Sequence, residues 1–289
     1  MKALLAVLTA ALLLLTGCSP TQTYELRDDL SIYFVNADEV ILNIRRALRE
    51  RWKRIYVEYR AHGDNMDDIQ TLASELMEYA LDETGDPAEG DYLRHQYGGY
   101  DLNYGYTSDS GGYEYFLEFT PVYYTTSKQE KTVDEAVREA VKDISGSEYQ
   151  RVRAVYEYLK ENVTYDKAAA KSGTNTLKAT AYAALIQHRA VCQGYAVTAY
   201  RLLRECGIAA RVVTGTVTHE DGSEEYHAWN LVGIDGRFYE LDVTWDAQRG
   251  DESCFLKSAA DLPDRKKDEK YLTDGFKEKY PPAEENYEI

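Results

Sequence analysis

Asp235-Gly236 separates two runs, HAWNLVGI (227–234) and RFYELDVTW (237–245), both rich in aromatic and branched apolar residues. Asp-Gly in that setting predicts a two-residue hairpin turn of type I′, whose backbone twist matches that of the strands it joins. A two-residue turn fixes the register. Ile234 faces Arg237, and counting back from that pair sets His227 opposite Thr244 and Trp229 opposite Asp242. Residues two apart on a strand share a face. His227 and Asp242 are therefore same-face diagonal neighbours, about 7–8 Å apart at the backbone. An imidazole bridges that gap to a carboxylate, whereas a slip of one residue would put the two on opposite faces. The preceding run RVVTGTV (211–217) reads as another strand.

Upstream, CQGYAVTAYRLLRECG (192–207) has apolar residues at Ala196, Ala199, Tyr200, Leu203 and Cys206, and Gly207 supplies a stop. That spacing predicts a helix with Cys192 at its first turn. The partial positive charge of a helix N-terminus favours thiolate over thiol, and Gly194 is expected to leave the sulfur accessible. Taken singly, each residue has an ordinary reading: a small apolar cysteine, a strand-edge histidine, a turn acid. Together, a helix-start cysteine and a His–Asp pair on one sheet face supply a nucleophile, a base and an orienting acid. Zinc is the other common use of these residue types. With one cysteine here and no closely spaced second ligand, neither a metal nor a cofactor is expected.

TAYAALIQHRAVCQGYAVTAYRLLRECGIAARVVTG (180–215) followed by HAWNLVGIDGRFYELDVTWD (227–246) resembles the transglutaminase-like superfamily, related in architecture to papain-type cysteine peptidases. The resemblance runs from about Gln150 to Leu256. It implies an α+β fold, with a transglutaminase-like/papain-like core of N-terminal helices packed on an antiparallel sheet. It also implies Cys192 as nucleophile, His227 as general base and Asp242 as its orienter. The chemistry expected is acyl transfer from an amide through a thioester on Cys192, with protein or peptide as substrate, cell-wall peptide included. Water as acceptor makes a peptidase or amidase, and a lysine makes a crosslinking transglutaminase. A catalytically silent cell-envelope binding module is the alternative from another class. The Cys192 amide is a candidate oxyanion donor, and Tyr165, in VTYD (163–166), is a second. The ordinary reading of Tyr165 is a side chain packing at a helix end.

The chain opens MKALLAVLTAALLLLTGCSP. Lys2, the apolar run Ala3–Leu15 and the small residues after it predict an export signal. Leu15-Thr16-Gly17-Cys18 looks like the lipobox of bacterial lipoproteins, which implies a lipid on Cys18, a tether over 18–27 and an extracytoplasmic, membrane-anchored protein. The remaining cysteines, Cys192, Cys206 and Cys254, are odd in number, so at least one is a free thiol. Cys206 and Cys254 read either as buried small residues or as one disulfide. The formal charge of −17 over 289 residues disfavours a nucleic-acid partner.

Residues 28–130 are expected to form a smaller α/β domain and 131–289 the catalytic domain, with Lys128–Lys131 as the linker. The first contains a strand at Arg54–Arg60, a helix over Met66–Leu81 and a tyrosine-rich hairpin formed by 91–106 and 113–124. Those tyrosines suit glycan stacking, though tyrosine favours strands whatever their function. In the second, helices are expected near 133–144, 148–162 and 180–186, with a polar loop over 166–178.

Overall fold

The computed structural model describes residues 8–9, 34, 36–61, 66–172, 176–219 and 221–288. Apart from the backbone of Leu8 and Thr9, the expected export signal and tether lie outside the described residues, Cys18 included. No helix among the described residues is long and apolar enough to cross a membrane. The chain divides into two compact units, 1–84 with 97–123, and 85–96 with 124–289.

The first unit is built on an antiparallel sheet. Strands β1 (Leu8–Thr9), β2 (Ile55–Ala61), β3 (Tyr97–Asp109) and β4 (Gly112–Tyr123) lie in the order β1-β3-β4-β2. In β2 the alternating residues Ile55, Val57 and Tyr59 are buried, and they pair with Phe119, Leu117 and Tyr115 of β4. Helices α1 (Ala37–Arg49) and α2 (Ile69–Ala80) pack together. Arg45 of α1 donates to the Tyr79 and Ala80 carbonyls at the end of α2, at 2.8 and 2.9 Å. Tyrosines near the hairpin turn pack on one another and on Tyr59 of β2. Tyr115 stacks on Tyr59 with ring centres 5.0 Å apart, and Tyr106 meets Tyr113 edge-on at 5.3 Å.

The hairpin begins later than expected. Asp91–Arg94 is a short helix, α3, that belongs to the second unit. Gly90, at φ +59°, turns the chain into it. The Asp91 carboxylate is then buried against Arg211, at 2.7 and 3.0 Å, and accepts from the Val212 amide at 2.8 Å. Burial opposes its charge, but Arg211 outweighs burial and holds the carboxyl below its ordinary range.

The second unit places helices against an antiparallel sheet formed, in spatial order, by Arg265–Lys267, Ala210–Thr218, Glu224–Ile234 and Arg237–Leu241. Helix α4 (Ser127–Val141) starts in the stretch expected to be a linker, because Thr126 and Gln129 form a reciprocal capping box there. Ser147 and Gln150 do the same for α5 (Glu148–Asn162), which matches its expected span. Strand β5 (Thr164–Tyr165) follows, then α6 (Lys167–Ser172), which occupies part of the expected loop. Helix α7 (Ala181–Gln187) is capped by Thr180. Strand β6 (Arg189–Ala190) runs parallel to β5, with Tyr165 beside Ala190. Helix α8 (Cys192–Glu205) is buried along Gly194–Leu203 and packs on β7 (Ala210–Thr218) and β8 (Glu224–Ile234). Asn230 of β8 ties these layers, donating to the Ala196 carbonyl at 2.9 Å and the Arg211 carbonyl at 3.2 Å.

The Asp235-Gly236 turn joins β8 to β9 (Arg237–Leu241) in the expected register, from Ile234 opposite Arg237 to Asn230 opposite Leu241. Helix α9 (Val243–Arg249), strand β10 (Arg265–Lys267) and helix α10 (Asp274–Lys279) complete the unit. The mixed α+β class and the helices-on-antiparallel-sheet core agree with expectation. Because the Asp91–Arg211 pair is buried, Asp91→Ala removes the buried carboxylate that Arg211 faces and is expected to cost about 3–5 kcal/mol. Urea unfolding measures this; a loss below about 1 kcal/mol would show that the pair does not hold α3 to the sheet.

Candidate active site

Cys192 is the first residue of α8, with Val191 as N-cap. Its N–H therefore precedes the helix's own hydrogen-bond ladder. Gly194 has a different role from the one expected. A Cβ there would lie 2.7 Å from the Lys178 carbonyl oxygen and 2.8 Å from the Ala190 Cβ. The glycine lets the first turn of α8 sit directly on the segment before α7, which fixes where the cysteine emerges. Val191 reinforces that seat, its amide donating to the same Lys178 carbonyl at 2.9 Å.

His227 stands in β8, paired with Gly215 of β7. Its Nε2 is 2.7 Å from Asp242 Oδ2, and both side chains are almost wholly buried. The Cys192 side chain lies within electrostatic range of the same imidazole and adds to its hold on a proton. With Nε2 engaged by Asp242, Nδ1 is the nitrogen left for the thiol. Trp229 stacks near-parallel to His227 and Trp245 packs on it at an angle, each with ring centres 5.9 Å away. The three residues expected to act together are thus brought together.

The route to Asp242 differs from expectation. The strand stops at Leu241, and Asp242 is the N-cap of α9, accepting from the Trp245 amide through Oδ1 at 3.1 Å. Capping satisfies an orphan donor of the helix and locks the carboxylate rotamer. Oδ2 then faces His227. Thr244 and Trp245, expected in the strand, are in the helix instead.

Burial alone would lower the proton affinity of His227. The Asp242 charge, the Asp242 hydrogen bond and the contact with Cys192 outweigh it, and its pKa is pushed up to about 10. Burial would raise that of Asp242, but His227 and then Arg265 hold the carboxyl below its usual range. Cys206 and Cys254 are unbonded, so no disulfide joins them. Burial raises both thiols, Cys254 to about 11.

Tyr165, carried by β5 beside β6, feels the charges of Cys192, Glu225 and Asp242, and burial with these charges pushes its phenol up, so it keeps its proton. It lines a groove of about 290 Å³ with His219, Glu225, Trp245, Gln248 and Arg249. A larger hollow of about 740 Å³ shares His219, Trp245 and Arg249 and reaches Asp221 and Asp264. No group of three or more His, Cys, Asp or Glu among the described residues is arranged to hold a metal ion.

Arg265 was not expected at the site. Its Nη1 lies 2.6 Å from Asp242 Oδ2, and its side chain is 3% exposed. In the sequence it sits within a charge run, DRKKDEK (264–270), whose ordinary reading is a solvated surface. Only the path of β10 along β7, with Arg265 opposite Val217, carries it inward.

The His227 shift sets a pH window. Its folded pKa lies above the ordinary 6.5, so the stability it contributes is fully present below about pH 6.5 and is lost as pH rises through about 10. Asp242 works in the opposite sense: its contribution is present above its unfolded value of 3.8 and disappears as pH falls through the depressed one. Denaturant unfolding of wild type and His227→Gln across pH is expected to give a stability gap that is widest below about pH 6.5 and narrows towards pH 10. A gap that does not vary with pH would contradict the buried imidazolium.

Residues 135–243 match the family model described as Transglutaminase-like superfamily, a span that contains Cys192, His227 and Asp242. Kyphoscoliosis peptidase of Mus musculus is 31% identical over 130 residues, covering 41% of this chain and 19% of that protein. Kyphoscoliosis peptidase of Homo sapiens is 29% identical over 137 residues, covering 45% and 20%. The chain thus spans about a fifth of the length of these curated relatives. Among solved structures, a crystal structure of a TGase aligns over 66% of this chain and 50% of its own at 18% identity, with a TM-score of 0.34. Residues 135–243 are a transglutaminase-like superfamily domain.

Proposed function

We propose that the chain is a cysteine peptidase or amidase that cleaves peptide amides through a thioester on Cys192. The observation that carries this reading is the single buried imidazole of His227, held by Asp242 on Nε2 and within electrostatic range of the Cys192 side chain. With its pKa raised to about 10, His227 already holds the proton ceded by the Cys192 thiol before substrate arrives, and the sulfur attacks the amide carbonyl as thiolate. The oxygen of the tetrahedral adduct takes the negative charge. The Cys192 amide at the start of α8 and the protonated Tyr165 phenol are its candidate donors. His227 returns the proton to the leaving nitrogen, the C–N bond breaks and the thioester remains. His227 then takes a proton from water, whose oxygen attacks the thioester. Breaking the C–S bond releases the carboxylic acid, and the proton returns to sulfur. Asp242 holds the imidazole in the productive tautomer and stabilises its cation throughout.

A lysine amine could take the acyl group in place of water and leave a crosslink. Hydrolysis is favoured because the matched relatives are named peptidases. The groove lined by Tyr165, Trp245 and Arg249 offers a site for an extended peptide, and its Tyr165 lies within range of the Cys192 charge. A silent binding module fits less well, since a buried His–Asp pair is costly to keep without use, and three of the hairpin tyrosines, Tyr106, Tyr113 and Tyr115, pack on one another. The apolar run ending in Thr16-Gly17-Cys18 supports a lipid tether on Cys18 and an extracytoplasmic location, with cell-envelope peptide among the substrates within reach.

Mass spectrometry of peptide and glycopeptide pools incubated with the protein is expected to show new termini. Asp242→Asn should lower the rate on the order of 10²-fold or more while the protein stays folded. Loss of ammonia with joined peptides would replace hydrolysis by transamidation, and an unchanged rate in Asp242→Asn would remove Asp242 from the mechanism. Fatty-acid labelling that persists in Cys18→Ala would defeat the tether.

A further inference from the structure

The same carboxylate oxygen of Asp242 receives two cationic partners. His227 Nε2 approaches it at 2.7 Å and Arg265 Nη1 at 2.6 Å. In an ordinary Cys-His-Asp arrangement the acid has one charged neighbour, which it stabilises with its full charge. Here a permanent cation occupies the oxygen first, whatever the protonation state of the imidazole.

The placement of Arg265 is built into the fold. Its guanidinium lies 5.7 Å from the Trp229 ring centre and 5.1 Å from that of Trp245, the two indoles that also flank His227. Its Nη2 is 3.1 Å from Cys254 Sγ. Gly215 permits the approach: it pairs with His227 on one side and Lys267 on the other, and a Cβ there would strike the Lys266 carbonyl. Any larger residue at 215 would push β10 away and draw Arg265 off the carboxylate. Behind Trp229, its Nε1 donates to Glu240 at 2.6 Å, and Lys267 pairs with Glu240, which pins the indole.

We propose that Arg265 is a positioning residue for the catalytic acid: it holds Asp242 Oδ2 in place and limits how tightly that carboxylate keeps a proton on His227. This rests on the reading of Cys192, His227 and Asp242 as a triad. The function of such a brake follows from the chemistry. A base that binds its proton too strongly is a poor acid toward the leaving amine, and the best proton shuttle has an affinity near the working pH. His227 is already raised to about 10 with Arg265 present. Removing the cation would raise it further, because the imidazolium would lose a like-charged neighbour and gain the whole of the Asp242 charge.

Several other groups face this pair. Cys192 approaches His227 from α8, and Tyr165 lies in range from β5. Asp246 of α9 and Cys254 feel the Asp242 charge, and Asp264 and Glu240 act on Arg265. Asp246 is itself pushed up to about 6 by burial, and the Tyr156 hydroxyl donates to it at 2.8 Å. It therefore changes charge well below the His227 range, and Cys254 keeps its proton through neutral pH. Neither mimics a shift of the His227 midpoint that depends on the residue at 265.

The test follows the imidazole directly. The full chain, with ¹⁵N-labelled histidine, gives five side chains to follow by NMR, and His227→Gln assigns the signal of interest. Arg265→Gln is expected to move the His227 midpoint up by about one pH unit, and Arg265→Lys to leave it near the wild-type value. Below its midpoint His227 still neutralises Asp242, so the glutamine variant is studied from that side. If it does not fold, Arg265→Met, which keeps the stem between the two indoles, carries the same measurement. A midpoint that stays put without the cation, or that moves as far in the lysine variant as in the glutamine variant, overturns the proposal. Site-resolved alkylation separates this from failure of the triad. If wild-type Cys192 reacts no faster than Cys206 and Cys254, the nucleophile assignment falls and Arg265 with it. If Cys192 reacts first while the His227 midpoint ignores residue 265, only the role of Arg265 is lost.

Discussion

The Asp242 carboxylate is the point on which the second unit's chemistry depends. It is buried, and three donors converge on it: the Trp245 amide on Oδ1, and His227 and Arg265 on Oδ2. Each comes from a different part of the fold: the first turn of α9, the interior strand β8, and the edge strand β10. A buried carboxylate lacking these partners would be strongly disfavoured. Satisfying it therefore ties the end of the hairpin, the start of a helix and the far edge of the sheet into one arrangement. The His227 imidazole takes its orientation from that arrangement, and with it the direction in which its other nitrogen meets Cys192.

The same point explains what the sequence discloses and what it hides. The Asp235-Gly236 turn is local chemistry. Both of its residues have positive φ, at 51° and 76°, and the strand pairing follows from Ile234–Arg237 to Asn230–Leu241. Helix α8 is likewise legible, from Cys192 through the positive φ of Gly207. Less legible was the end of β9, because Asp242 can continue a strand or cap a helix, and burial decides. The runs 128–131 and 166–178 read as linker and loop from their polarity. The first is the start of an amphipathic helix with a capping box, and part of the second is the short helix α6.

Arg265 could not be found from the sequence because nothing local distinguishes it from the charged residues on either side. Its role depends on β10 pairing with β7 rather than with β9, and on Gly215 admitting that strand closely. Gly194 carries a related lesson. A glycine two residues after a nucleophile suggests open access to the sulfur, whereas here it allows close helix packing against Lys178 and Ala190. Both glycines act by removing a methyl group at a crossing of backbones, a function defined only once the crossing exists. Asp91 is a third case, since its partner Arg211 is 120 residues away and the helix it begins takes the place of what reads as the start of the hairpin.

The central claim is that Cys192 forms the acyl intermediate with its proton handled by His227. Rapid-quench incubation with an activated aryl ester, followed by peptide mass spectrometry, locates the acyl group and gives its rate of formation. The account predicts a single thioester on Cys192, formed at least about 10²-fold more slowly in His227→Ala. Acylation at another residue, or an acylation rate at Cys192 that is the same with and without His227, would contradict it.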